Sequence, residues 1–125
     1  MNTKVRFASL LGFLAVCSVA TVEAQALPQG VTQAMITQGK EIFSKSGLCY
    51  ACHGPEGKGL VGPNLTDDVW LHSKGSYEEI VQSITVGVTK EQSKTGVPMP
   101  PKGGSAITDE EIRAVAAYTW KLSHP

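Results

Sequence analysis

Cys49-Tyr50-Ala51-Cys52-His53 is the stretch whose reading decides the fold of this 125-residue chain. A Cys-x-x-Cys-His run is the attachment signature of a c-type haem. Two thiols three positions apart can add to the two vinyl groups of one porphyrin, and the adjacent imidazole of His53 is then held beside the iron as its proximal ligand. The run occurs once, so one haem c is expected, covalently bound through Cys49 and Cys52. Two other chemistries use the same cysteine spacing. A thioredoxin-like dithiol needs a βαβ pattern around it, and none is visible. A zinc site needs further ligands at short spacing, whereas the only other cysteine is Cys17 and the only other histidines are His72 and His124.

The N-terminus supports the haem reading, because it reads as an export signal. Lys4 and Arg6 form a basic start, Phe7 to Ala20 an apolar run, and small residues follow. Cleavage after Ala24 or after Ala26 fits the pattern, which makes residues 1–24 a signal peptide and the periplasm the expected location. The apolar run is short of the ~20 residues that cross a bilayer, so a removed signal is favoured over a retained anchor. Lipidation at Cys17, in Leu14-Ala15-Val16-Cys17, is a further alternative, with Val16 large for the position before the cysteine.

The remaining length suits one domain. Residues 25–31 read as a flexible mature N-terminus and residues 32–125 as the domain. A core of this size is marginal and needs a staple, which a covalent porphyrin would provide. Lys4, Arg6 and Glu23 fall in the first 24 residues, which leaves nine Lys and Arg against ten Asp and Glu. That near-neutral balance gives no indication of nucleic-acid binding.

Helical periodicity appears three times. Met35, Gly39, Ile42 and Phe43 share a face in a helix from Thr32 to about Ser46, with Gly47 as its stop. Ser76 and Glu79 form a capping box for a helix over Tyr77 to Val86 that presents Ile80, Val81 and Ile84 and ends at Gly87. Thr108 and Glu111 cap the last helix, which Asp109 and Glu110 further favour; its inner stripe is Ile112, Val115, Ala116 and Thr119, and it ends near Ser123. Residues 54–66 and 87–106 read as long irregular loops. No strand-length alternation is present, so the fold class is all-α, with three to four helices and long loops around a cofactor.

A second iron ligand is sought among the methionines. Met1 is the start residue and Met35 lies on a helix face, but Met99 sits in Gly96-Val97-Pro98-Met99-Pro100-Pro101, where flanking prolines restrict the backbone. Its thioether either ligates the iron, raising its potential, or fills a gap in a small core; position alone leaves both readings open.

Across nearly the whole mature region the chain resembles class I monohaem bacterial cytochromes c. The shared landmarks are Gly39 and Phe43, the haem motif with Gly54, Gly62-Pro63-Asn64-Leu65, Met99 between prolines, and Tyr118 with Trp120 in a terminal helix. Within that class, the run from Gly62 through Thr66-Asp67-Asp68-Val69-Trp70-Leu71-His72 is similar to the cytochrome c domains of cbb3-type oxidases. The resemblance implies a cytochrome c fold, His53 as proximal and Met99 as distal ligand, and a Pro63 carbonyl that accepts from the His53 ring. It places Leu65 on the haem edge and Gly39 at a close crossing near Phe43, Ala117 and Tyr118. Trp70 would reach a propionate through its indole N–H or serve as core. His72 is expected to be a solvated loop residue and His124 to lie inert at a frayed terminus. Phe43 and Cys49 stand farther apart than in many relatives, so the Gly47-Leu48 region is expected to widen the turn before the motif.

The implied function is periplasmic electron transport in a respiratory chain, with no substrate transformed and no enzyme activity. Redox proteins would be donor and acceptor, among them a terminal oxidase or a periplasmic dehydrogenase. Two alternatives stand beside this shuttle: a fixed cytochrome subunit of a larger complex, and a haem sensor or enzyme with an open distal site. The motif has no nucleophile or acid–base pair near it in sequence.

Overall fold

A computed structural model describes residues 25–125, so the expected export signal and Cys17 lie outside the described residues. Four α-helices run in the order α1 (Gln33–Ser44), α2 (Tyr50–His53), α3 (Tyr77–Val86) and α4 (Asp109–Ser123), with a 3-10 turn at Pro101–Gly104. Among the described residues there is no strand, only an isolated antiparallel bridge between Val88 and Met99. The architecture is all-α, as expected.

Local chemistry explains where the helices start. The Thr32 hydroxyl accepts from the Met35 N–H and caps α1. Ser76 with Glu79, and Thr108 with Glu111, form complete capping boxes in which side chain and backbone satisfy each other reciprocally. Asp109, Glu110 and Glu111 place negative charge at the positive end of α4.

The core is built on the crossing of α1 and α4. Gly39 is buried there, and a methyl group in its place would overlap the Ala114 carbonyl and stand 2.9 Å from the Tyr118 Cβ. The absent side chain lets the two backbones touch. Phe43, with no exposed surface, then reaches the Tyr118 ring edge-on, with centroids 5.4 Å apart. Ile36, rather than Met35, completes the inner face of α1; Met35 is only partly covered. The buried stripe on α4 is wider than periodicity predicts, since Ala114, Ala117, Tyr118 and Trp120 are buried with Ile112, Val115, Ala116 and Thr119. α3 lies against α4 through Ile80 and Ile84, and the Tyr77 hydroxyl donates to the Arg113 carbonyl at 3.2 Å.

Three local expectations are corrected. The first helix ends at Ser44, two residues early, because Lys45 leaves helical geometry and the N–H groups of Lys45 and Gly47 both converge on the Ile42 carbonyl. The Gly47-Leu48 region is wound into a tight coil, with Leu48 at φ 57° and its N–H on the Lys45 carbonyl. Residues 27–31, read as loose, contribute to the packing: Val31 is buried, its N–H meets the Pro28 carbonyl, and Leu27 lies against the core. His124 is not at a frayed end. Its ring stacks on Trp120 at 4.2 Å, and its Nδ1 lies 2.9 Å from the Trp120 carbonyl.

Gly39→Ala is expected to lower stability by about 1–3 kcal/mol, because a backbone cannot yield as a side chain can; guanidinium unfolding of the purified protein measures it. Thr108→Ala is expected to lower it by about 1 kcal/mol through the lost cap, read from the same unfolding curves.

Candidate haem-binding site

The Cys-x-x-Cys-His run forms the single-turn helix α2, with Cys49 at its N-cap and Gly54, at φ 80°, at its end. The following loop folds back onto it through backbone hydrogen bonds. The Gly59 N–H donates to the His53 carbonyl and the Gly62 N–H to the Cys52 carbonyl, each at 2.8 Å. Gly62 lies flat on the imidazole: a Cβ there would stand 3.0 Å from both His53 Cε1 and Nδ1. This close approach delivers the Pro63 carbonyl to within 2.9 Å of His53 Nδ1. A carbonyl can only accept, so Nδ1 carries the proton and Nε2 keeps its lone pair. Burial pulls the His53 pKa below the ordinary histidine value, against the opposing pull of the Pro63 carbonyl, and the imidazole is therefore neutral at neutral pH.

Cys49 and Cys52 are both free thiols. Burial pushes the Cys49 thiol up to about 11, and its Sγ lies 3.4 Å from the Gly47 carbonyl. A reactive dithiol pair depends on a depressed thiol pKa, so this environment speaks against the thioredoxin-like reading. Among the described residues no three His, Cys, Asp or Glu side chains are grouped to hold a metal ion, which leaves the zinc reading without a ligand set.

Downstream, Asn64 organises the chain that carries Leu65. Its side-chain oxygen accepts from the Thr66 N–H at 2.9 Å and hydroxyl at 2.8 Å, while its amide donates to Asp67 at 2.9 Å. Trp70 is half-buried against the core, its indole packed on Gly75, where any side chain would collide with the ring.

Met99 is fixed by more than its prolines. Its N–H donates to the Val88 carbonyl at 2.9 Å, and the Val88 N–H donates to the Met99 carbonyl at 2.8 Å. Gly87 makes room for this bridge, since a Cβ there would stand 2.7 Å from the Pro101 nitrogen. The roles of Val88 and Gly87 are not visible in sequence, because the pairing spans a loop. Gly87 signals itself only as the stop of α3.

These segments enclose one cleft of about 1150 Å³, open mouth included. Cys49, Cys52, His53, Pro63, Leu65, Trp70 and Met99 all line it, so every site residue expected from sequence faces the same space. Its floor is apolar, with Phe43, Ile80, Ile84 and Val115. The residues fit a haem: two free thiols, a neutral imidazole with an available Nε2, and a thioether border a mostly apolar slot. His72 lies at its rim, exposed, yet its Nε2 accepts the Lys94 N–H at 3.2 Å.

Residues 34–118 match the family described as cytochrome c oxidase, cbb3-type, subunit III. The chain is 33% identical over 103 residues to the CcoP subunit of the cbb3-type oxidase of Rhodobacter capsulatus, covering 75% of this chain and 31% of that protein. It is 37% identical over 113 residues to the FixP subunit of Bradyrhizobium sp. (strain ORS 278), covering 88% of this chain and 37% of that protein. Those relatives are thus matched over little more than a third of their length at most. Among solved structures, cytochrome cL of Methylophaga aminisulfidivorans aligns with TM-score 0.54 at 23% identity, over 71% of this chain and 53% of that one. The Kuenenia stuttgartiensis reducing HAO-like complex aligns with TM-score 0.61 at 22% identity, over 78% of this chain and 47% of that one. No helix among the described residues is long and apolar enough to cross a membrane. With the family model matched over most of the described residues and the fold shared with cytochromes, the chain belongs to the cbb3-type cytochrome c oxidase subunit III family and is a cytochrome c domain of it.

Proposed function

We propose that this domain is an exported one-electron carrier that holds one haem c covalently through Cys49 and Cys52, with His53 and Met99 as the axial ligands. The observation that carries this reading is the convergence of both thiols, the oriented imidazole and the thioether on one cleft. When bound, haem c supplies a ferric/ferrous couple. The chain supplies the rest. Pro63 holds the His53 Nδ1 proton and so fixes the ring's orientation and basicity. The Val88 bridge holds the Met99 backbone in place, and a thioether favours the ferrous state. The apolar floor keeps water away and raises the cost of extra charge. Leu65 packs beside the ring and Trp70 offers its indole N–H to a propionate. None of these residues forms an acid–base pair or an activated nucleophile, so the domain moves electrons and transforms no substrate.

The site of action is the periplasm, following removal of residues 1–24. Its donor and acceptor are redox proteins, and a terminal oxidase is the favoured partner because the similar proteins are oxidase subunits. The same observation supports a second reading, a fixed subunit of such an oxidase. Co-purification with a larger partner at salt high enough to disrupt transient docking supports the fixed subunit; isolation as a free protein supports the shuttle.

The deciding experiment is the optical spectrum of the exported protein, ferric and ferrous, with and without carbon monoxide. A low-spin spectrum with a Met–iron charge-transfer band and no response to carbon monoxide is expected. Ready carbon monoxide binding would instead establish an open site and overturn electron carriage in favour of a sensor or enzyme. Met99→Ala is expected to abolish that band, lower the potential and admit carbon monoxide; an unchanged spectrum would exclude Met99 as ligand. In the double variant Cys49→Ala, Cys52→Ala the pigment is expected to leave the chain on denaturation, where the wild type retains it.

A further inference from the structure

We propose that His72 is a positioning residue for the loop that carries Met99, acting as a hydrogen-bonded clasp on its tip. The inference rests on the reading of Met99 as the distal ligand.

The loop from Thr89 to Pro98 is closed at its base by the Val88–Met99 bridge. Within it, Thr89 and Gln92 cap each other, the Ser93 N–H returns to the Thr89 carbonyl, and the hydroxyls of Ser93 and Thr95 meet. These contacts stiffen the loop but do not attach its tip to the protein. Among the described residues, one hydrogen bond ties residues 89–97 to the rest of the chain: the Lys94 N–H donates to His72 Nε2 at 3.2 Å, across 22 positions of sequence. The loop's charged residues, Lys90, Glu91 and Lys94, take part in no ion pair among the described residues.

The clasp joins two walls of the same cleft. His72 belongs to the segment that carries Trp70, and the loop tip brings Ser93, Thr95 and Val97 to the mouth. Because Nε2 accepts, the ring must be neutral with its proton on Nδ1. The backbone bridge holds the Met99 main chain, and the clasp holds the loop tip at the cleft that Met99 lines. Without the clasp, a swung-out loop costs less, and an external ligand competes with Met99 for the iron more readily. His72 therefore sets how firmly the distal side stays shut without touching the iron.

The test compares wild type, His72→Ala and His72→Gln as ferric holoproteins. Glutamine carries an amide oxygen at about the reach of Nε2 and can accept the same N–H. Imidazole affinity is read from loss of the Met–iron band, and exchange of the Lys94 amide is followed by NMR. His72→Ala is expected to bind imidazole roughly two- to tenfold more tightly, the span that one net hydrogen bond supplies, and to exchange the Lys94 amide faster. His72→Gln is expected to restore both. A merely stabilising residue would lower the melting temperature and leave imidazole affinity unchanged; that result overturns the proposal. Failure of glutamine to rescue overturns the hydrogen bond as its basis. A wild type lacking the Met–iron band defeats the distal-ligand reading instead, and the Lys94 exchange rates still decide whether the clasp exists.

Discussion

The backbone contact between Gly39 and Ala114 is the constraint on which the rest of the molecule depends. It brings the backbones of α1 and α4 into contact, which removes side-chain volume from the crossing and concentrates it beside the crossing. Phe43 and Tyr118 fill that space edge to face, and Phe43 thereby forms part of the cleft floor. The position of α2 follows, because only the coil over Lys45 to Leu48 separates it from the end of α1. An error in the crossing angle would be passed directly to the Cys-x-x-Cys-His turn. The helix pair thus sets where the Cys-x-x-Cys-His turn lies, and the loops then bring Pro63 and Met99 to the same cleft.

The loops obey a different logic. They bury little apolar surface, so they are held by backbone and short polar side-chain hydrogen bonds, and glycine allows the necessary close approaches. At Gly62 on the imidazole, Gly75 on the Trp70 indole and Gly87 beside the Met99 backbone, added volume would displace a site residue. A domain this small leaves a wide apolar cleft between its loops, which is costly unless something fills it. The proposed haem would fill it, anchored to α2 through two covalent bonds and packed between the helix pair and the loops, which is how a chain without a disulfide among its described residues could gain rigidity.

Much of this was legible in the sequence, and the reasons are local. Capping boxes at Ser76 and Thr108 mark helix starts within four residues, and the haem motif is five residues long. The segment at Gly62-Pro63-Asn64-Leu65 was recognisable by resemblance, and the structure shows why its residue types matter there. What escaped notice was long-range or carried by the backbone. The Val88–Met99 bridge joins residues eleven positions apart through groups every residue possesses. Ile36 outranks Met35 because the direction of the helix face, not its composition, decides which is covered. The coil over Lys45 to Leu48 replaced the last turn of α1 because two N–H groups compete for the Ile42 carbonyl, a competition that no residue type announces. His124 looked terminal and inert, yet Trp120 offers it a flat partner one helical turn away.

The two sides of the cleft differ in how they are held, and this asymmetry has a functional meaning under the proposed ligation. On the His53 side every contact is short in sequence: α2, its returning loop and Pro63 lie within fifteen residues, and both thiols are there. Displacing His53 would require unfolding that whole unit and breaking its attachment. On the Met99 side the support is a single bridge, a proline-restricted backbone and the contact between His72 and Lys94. Under that ligation the two ligands would be unequal in firmness, with the imidazole built in and the thioether on a loop with few ties to the rest of the chain. A carrier needs iron whose coordination does not change with oxidation state, since any rearrangement slows electron transfer. As the proposed carrier, the protein would meet that need at its weaker side with rigidity in the chain itself, through the prolines before and after Met99, rather than with bonds to the core. That is why the segment around Met99 can remain exposed and irregular while its key side chain stays in place.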